Sequence, residues 1–245
     1  KEPIENELGI AFPRDGLPLG VVGDVAAADL VREQPFGGQL QRAVRRVAAD
    51  PVGDHLIDRG RLRVLVVTGE GRAFCSGQDL GDRADGASID LERTLRDEYA
   101  PMLRAIVNCP IPTISAVNGP AAGAGANLAL AADVVFAAES AYFMQAFSRI
   151  GLIPDAGGTY VLPRSMGTAK AMGAALFADK ISARQADDWG MIWEAVPDAQ
   201  FDAHWRAKAA QLATGPTVAY AGIKEVIRGS WNNDFEEQLT LEAQT

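Results

Sequence analysis

Three glycine-rich segments carry most of the residues that could do chemistry. In Thr68–Leu80 (TGEGRAFCSGQDL) a β-branched run stops at Gly69, and Gly71 and Gly77 follow. Glycines there let the backbone approach a ligand closely and turn N–H groups toward an anion, although an ordinary strand-to-loop turn uses the same residues. In Gly119–Asn127 (GPAAGAGAN) glycines open a helical pattern, so free N–H groups at the helix start could hold a developing negative charge. Gly123 and Gly125 supply the GxG of a dinucleotide fingerprint, but Leu128 stands at the third glycine position and argues against a nicotinamide site. In Gly151–Arg164 (GLIPDAGGTYVLPR) a single carboxylate, Asp155, sits in a Pro-Asp-Ala-Gly-Gly turn. On this context alone it reads as a turn residue.

Other reactive side chains lack the neighbours that chemistry needs. Cys75 and Cys109 are not spaced as CxxC, and His55 and His204 lie far from both. No metal site follows from this spacing. Cys75 has no adjacent base to generate a thiolate and reads as packing. Two unpaired cysteines fit free thiols in a reducing compartment. Asp79 reads as a helix cap, and Phe136, Phe143, Trp189 and Trp193 read as core.

The elements that must position these segments alternate between strand and helix. Arg61–Glu70 reads as a buried parallel strand, Asp90–Asn108 as a helix ended by Pro110 and Pro112, and Thr113–Asn118 as a second strand. Gly123–Ala132 follows as a Gly/Ala-rich helix and Asp133–Ala138 as a third strand. This order predicts an α/β sheet with right-handed crossovers. The last third is helical: Ser182 and Gln185 form a capping box ahead of Ala186–Gly190, Phe201–Ala213 and Pro216–Ile227 are amphipathic, and Asp234 with Glu237 could cap a last helix. Before residue 62 the pattern is weaker. Gly16–Gly23 is glycine-rich and apolar, Gln39–Ala49 is a plausible helix, and Asp50–Arg61 is polar. Gly81–Ser88 reads as a flexible loop.

Bulk properties narrow the function classes. The 245 residues suffice for one large domain, and 48% hydrophobic with 22% charged residues is ordinary for a globular protein. With 23 basic and 32 acidic residues the net charge is −9, which argues against nucleic acid as a partner. No stretch approaches the roughly 20 apolar residues of a membrane span. The first residues carry no signal-peptide pattern, so a cytoplasmic location is expected.

Read in order, FCSGQDL, NGPAAGAGANLALAAD and IGLIPDAGGTYVLPR closely resemble the crotonase (enoyl-CoA hydratase/isomerase) superfamily. Within it, AFSRIGLIPDAGGTYVLPR and SARQADDWGMIWEAV are similar to isomerases that act on ring-epoxidised phenylacetyl-CoA. The resemblance implies a spiral of ββα turns over residues 1–195, with an atypical first 60. It also implies a C-terminal helical trimerisation region over 196–245, shorter than is usual in the family, in a homotrimer or hexamer. It implies an acyl-CoA thioester as substrate, with no cofactor beyond the coenzyme A carrier. An enolate would be held by the backbone N–H groups of Gln78 and Ala124, while Arg72, Ser76, Gly77, Gly125, Asn127 and Phe147 would bind coenzyme A or substrate. Hydratases of the family place glutamates where this chain has Asn127 and Phe147, so the paired acid and base for adding water are missing. Asp155 stands where the isomerases carry their carboxylate. An isomerase is therefore expected. A hydratase or lyase of the same fold, or an inactive CoA-binding scaffold, is the alternative.

Overall fold

The computed structural model describes the backbone of residues 4–5, 11–12, 19–23 and 26–30, and residues 62–77 and 91–245 in full. The expected helix at Gln39–Ala49, the loop at Gly81–Ser88, and the residues His55, Gln78 and Asp79 lie outside the described residues.

Strands β1 (Ile4–Glu5) and β2 (Ala11–Phe12) form a small antiparallel pair. β3 (Leu19–Gly23) and β4 (Ala26–Leu30) form a hairpin on the edge of the main sheet. That sheet has the order β11-β8-β6-β5-β3-β4. Its parallel part is built from β5 (Val64–Thr68), β6 (Thr113–Val117), β8 (Val134–Ala138) and β11 (Glu194–Val196). Every residue of β6 is buried, as are Val64–Val67 and Val135–Ala138. This is why these strands read as continuous apolar runs: helices and loops cover both faces of a parallel sheet. A second sheet, β7 (Ala121–Ala122), β9 (Tyr142–Met144) and β10 (Ile181–Ser182), is shorter, and Cys75 extends it through a bridge to Ala121.

The helix between β5 and β6 is interrupted. α1 (Leu91–Thr94) passes through a π turn at Leu95–Tyr99 into α2 (Ala100–Val107). The sequence periodicity predicts one regular helix here, because a single π turn leaves the apolar spacing nearly intact. Tyr99, Met102, Ala105 and Ile106 form its buried face. α3 (Ala124–Ala129) is wholly buried, and α4 (Gly158–Phe177) joins two helical segments across a break at Gly167 (φ 77°, ψ 159°).

α5 (Ala183–Asp188) starts at a capping box in which Ser182 and Gln185 bond reciprocally. α6 (Asp198–Ala213) buries Phe201, Trp205 and Ala209, one turn apart, against the sheet. α7 (Thr217–Gly229) buries no whole residue and is held by charge instead. Lys224 Nζ and Arg228 reach Asp133 at 2.7 and 2.6 Å, and Lys224 also donates to the carbonyls of Cys109 (2.6 Å) and Ile111 (2.9 Å). α8 (Phe235–Gln244) begins at the Asp234–Glu237 capping box.

Phe136 and Phe143 lie in the core and Trp189 packs at its margin, but Trp193 is corrected: it is 66% exposed. It immediately precedes β11, the edge strand. Val218, Ile223, Ile227, Trp231 and Phe235 on the last two helices and their link are also exposed. Among the described residues no helix is long and apolar enough to cross a membrane, and no His/Cys/Asp/Glu cluster could hold a metal ion.

Candidate active site

The first two glycine-rich segments meet at the junction of the two sheets. Asn118, just after β6, takes a hydrogen bond from Gly69 N–H (3.0 Å) and donates to the carbonyls of Gly71 (3.0 Å) and Ala73 (3.4 Å). The N–H groups of Phe74 and Cys75 donate to Pro120 O, and Ala122 N–H donates to Cys75 O at 2.9 Å. The loop after β5 is thus threaded along residues 118–122. Two glycines mark where it passes closest: a methyl group at Gly125 would lie 2.3 Å from Cys75 O, and one at Gly119 2.2 Å from Arg72 O. Gly125 is therefore fixed by packing against the loop.

Residue 77 ends beside the start of α3. Gly77 has φ 91°, and a Cβ there would lie 3.3 Å from Ala124 N. Ala124 opens the helix, so its N–H has no acceptor within α3. Ser76 is half-buried alongside, and Arg72 is exposed. The Phe147 ring, only 5% exposed, closes the same corner, 3.9 Å from where a Cβ on Gly123 would sit. Residues 76, 77, 123, 124 and 147 are therefore neighbours in space.

Asp155 approaches this corner on a tight turn. Ala156 (φ 48°) and Gly157 (φ 81°) are both left-handed, and Gly158 N–H closes the turn on Asp155 O at 2.9 Å. Ala156 tolerates this conformation poorly, which marks the turn as held by its surroundings. The holding group is Asn127, whose Nδ2 donates to the same Asp155 carbonyl at 2.8 Å. Gln145 Nε2 in turn donates to Asn127 Oδ1 at 2.8 Å.

The Asp155 carboxylate itself is poorly supported. Oδ1 is buried without a hydrogen-bond partner. Burial pushes the carboxyl pKa up to about 6, and a hydrogen bond from its own backbone N–H opposes this only in part. Such a group is ionised at neutral pH and still basic enough to take a proton.

Two other groups share the environment. Burial, followed by the nearby Cys75, Asp155 and Glu98, holds the Tyr99 phenol well above its usual range. Burial likewise pushes the Cys75 thiol up, against a weak lowering by Gly77 N–H. Cys75 stays a thiol and is packing. Tyr99 was not singled out by sequence, because apolar spacing alone accounts for it; its place at the end of the π turn is the distinguishing feature. Gln145 also gave no signal, being one amide after a short strand. Asn127 is 1% exposed, with its amide bonded to Gln145 and Asp155.

Parallel strands, a second short sheet and a glycine-lined corner near Asp155 are consistent with an enzyme of the crotonase type. Residues 55–245 match the family described as enoyl-CoA hydratase/isomerase, and the chain belongs to that family. It is 62% identical over 185 residues to a protein of Rhodobacter capsulatus named as a probable enoyl-CoA hydratase, covering 76% of this chain and 72% of that protein. It is 48% identical over 184 residues to the 1,2-epoxyphenylacetyl-CoA isomerase of Escherichia coli, covering 74% and 70%. Among solved structures, an enoyl-CoA hydratase from Bacillus anthracis superposes with a TM-score of 0.74 at 30% identity, covering 84% of this chain and 77% of that one.

Proposed function

We propose that the chain isomerises an acyl-CoA thioester through an enolate, with Asp155 as the base. The observation that carries this reading is a carboxylate with a buried, unpartnered oxygen, on a turn whose carbonyl is held by the amide of Asn127, with the Phe147 ring beside Gly123. One base can remove a proton from C2 of a 3-enoyl thioester and return it at C4, giving the conjugated 2-enoyl product. The charge that develops on the thioester oxygen would be met by Ala124 N–H and by Gln78 N–H one residue beyond Gly77. Preorganised donors of this kind stabilise an oxyanion strongly because they need no reorganisation. Ser76 and Arg72 would follow the coenzyme A chain outward.

A raised carboxylate pKa suits this role, since an Asp at its ordinary value of about 3.9 is a weak base toward a carbon acid. Similarity to the epoxyphenylacetyl-CoA isomerase favours an aromatic acyl group, for which the same base would serve a ring-epoxidised thioester. The hydratase reading has the support of the Rhodobacter relative's name. It needs a second acid or base to position water, and the two positions at which hydratases of the family carry glutamates hold Asn127 and Phe147.

Incubation with a 3-enoyl-CoA should produce the ultraviolet absorbance of a conjugated thioester. Faster water addition to crotonyl-CoA than isomerisation would replace this reading with the hydratase. Binding of acyl-CoA without either reaction would leave a scaffold. The exposed apolar faces of α7 and α8 also favour the homotrimer or hexamer as the working form.

A further inference from the structure

We propose that Gln145 and Asn127 act as a two-amide strut that positions Asp155 through its main-chain carbonyl, so that both are positioning residues. The proposal rests on the isomerase reading for its kinetic consequence but not for its geometry.

The direction of the strut is fixed from one end. Asp155 O can only accept, so Asn127 must present Nδ2 to it and Oδ1 to Gln145, which must then present Nε2. Both side chains are fully enclosed, Gln145 at 0% and Asn127 at 1% exposure. Gln145 Oε1 is left buried with no partner. An amide kept at that cost is held for the bond its other end makes.

Each end of the strut is anchored in rigid structure. Asn127 stands on the buried helix α3, whose preceding residue Gly123 donates to Met144 O at 2.9 Å. Gln145 follows Met144 directly, at the end of β9. The same two elements, α3 and β9, therefore carry the Ala124 N–H and the strut. At the far end, Gly158 has no side chain because Asn127 occupies its place: a Cβ there would lie 2.4 Å from Nδ2 and 2.7 Å from Cγ. The turn is pressed onto the amide, with the left-handed Ala156 between its two points of contact, Asp155 and Gly158. The strut thus couples the position of the base to the position of the oxyanion donor. Tyr99 from the π turn is the titratable neighbour of the carboxylate, and Tyr99 in turn has Cys75 and Glu98 nearby; burial keeps the Tyr99 phenol and the Cys75 thiol neutral.

Asn127→Leu removes both bonds at similar volume, and Gln145→Met removes the outer bond without touching the turn. With the strut lost, Asp155 should gain water and lose its alignment. For Asn127→Leu, kcat on 3-enoyl-CoA should fall about tenfold or more with KM within about twofold, as expected when a base is displaced while binding survives. Gln145→Met should fall less. The acid limb of the pH–rate profile should move down from about pH 6 in both. Parent-like kcat in a folded variant, or a lowered kcat with an unmoved limb, would overturn the proposal. If Asn127→Leu does not fold, Gln145→Met decides by the same criteria. Carboxyl-carbon NMR titration of Asp155 in labelled protein reads the same shift without turnover. A moved titration in an enzyme that does not isomerise 3-enoyl-CoA would sustain the strut and reject the isomerase; an unmoved one rejects the strut whatever the reaction.

Discussion

Asp133 and Asp155 are both partly buried aspartates in the links between elements, and they have opposite fates. Asp133 is saturated. Its carboxylate accepts from Thr113 N–H (2.8 Å) and Thr113 Oγ1 (2.9 Å) and pairs with Lys224 and Arg228, tying α7 to the sheet. Asp155 has an unpartnered Oδ1, and the nearby polar support goes to its carbonyl instead. Burial alone does not make a carboxylate reactive. What matters is whether the fold gives the charge partners or spends its hydrogen bonds on the backbone around it.

The comparison breaks most visibly at Asp133. Asp133→Ala leaves Lys224 and Arg228 facing each other without a counter-charge and strips Thr113 of its acceptor. Losing one member of a buried ion pair costs about 3–5 kcal/mol. The denaturant midpoint should drop accordingly, while kcat of the remaining folded enzyme stays near the parent value. A midpoint within experimental error of the parent would mean that α7 is held by something other than this network.

Asp155→Asn should do the reverse. It keeps shape and removes charge, so acyl-CoA should still bind while turnover falls about a hundredfold or more, near 2.7 kcal/mol in the barrier. Isomerisation of 3-enoyl-CoA at the parent rate would reduce Asp155 to a turn residue.

The pH dependence sharpens the contrast with a smaller effect. Asp155 has its folded pKa raised to about 6, above the ordinary unfolded value of about 3.9. Between those values the folded chain holds a proton that the unfolded chain has lost, so this group makes stability fall as pH rises through the window. Its cost is absent below the window and complete above it. For a half-buried carboxylate, screening reduces that cost to about 1 kcal/mol. Asp155→Asn should therefore melt a few degrees above the parent at pH 8 and level with it near pH 3.5. In activity the sign is opposite, since only the ionised base works: the parent rate should rise through pH 6 and level off.

Much of this was legible in the sequence, and the reasons differ by region. The parallel strands read clearly because burial on both faces leaves runs such as RLRVLVVTGE and TISAVN. Both capping boxes read clearly because they are local, three residues apart. The three glycine segments announced a site, and resemblance supplied its chemistry. The strut was not legible. Gln145, Asn127 and Asp155 are linked across 18 and 28 residues by side-chain bonds, and no local pattern carries that. The π turn was hidden because one extra residue per turn barely disturbs apolar spacing. The coupling of Asp133 to α7 likewise joins positions 95 residues apart.

The smallest effect tests the turn itself. Ala156 is left-handed at φ 48°, a conformation that costs an L side chain roughly 1 kcal/mol and a glycine almost nothing. Ala156→Gly relieves that strain but adds freedom to the unfolded chain, which opposes the gain by about 0.4–1 kcal/mol. The net change in stability should be a few tenths of a kcal/mol in favour of glycine. Turnover should still fall about two- to threefold. Glycine leaves the backbone between Asp155 and Gly158 free to visit right-handed conformations in which the carboxylate leaves its alignment. At Asp133 no such trade exists, because charge partners rather than backbone shape hold the group. If melting and kcat of Ala156→Gly both match the parent, the turn is fixed wholly by Asn127, and the strain at Ala156 has no part in aiming the base.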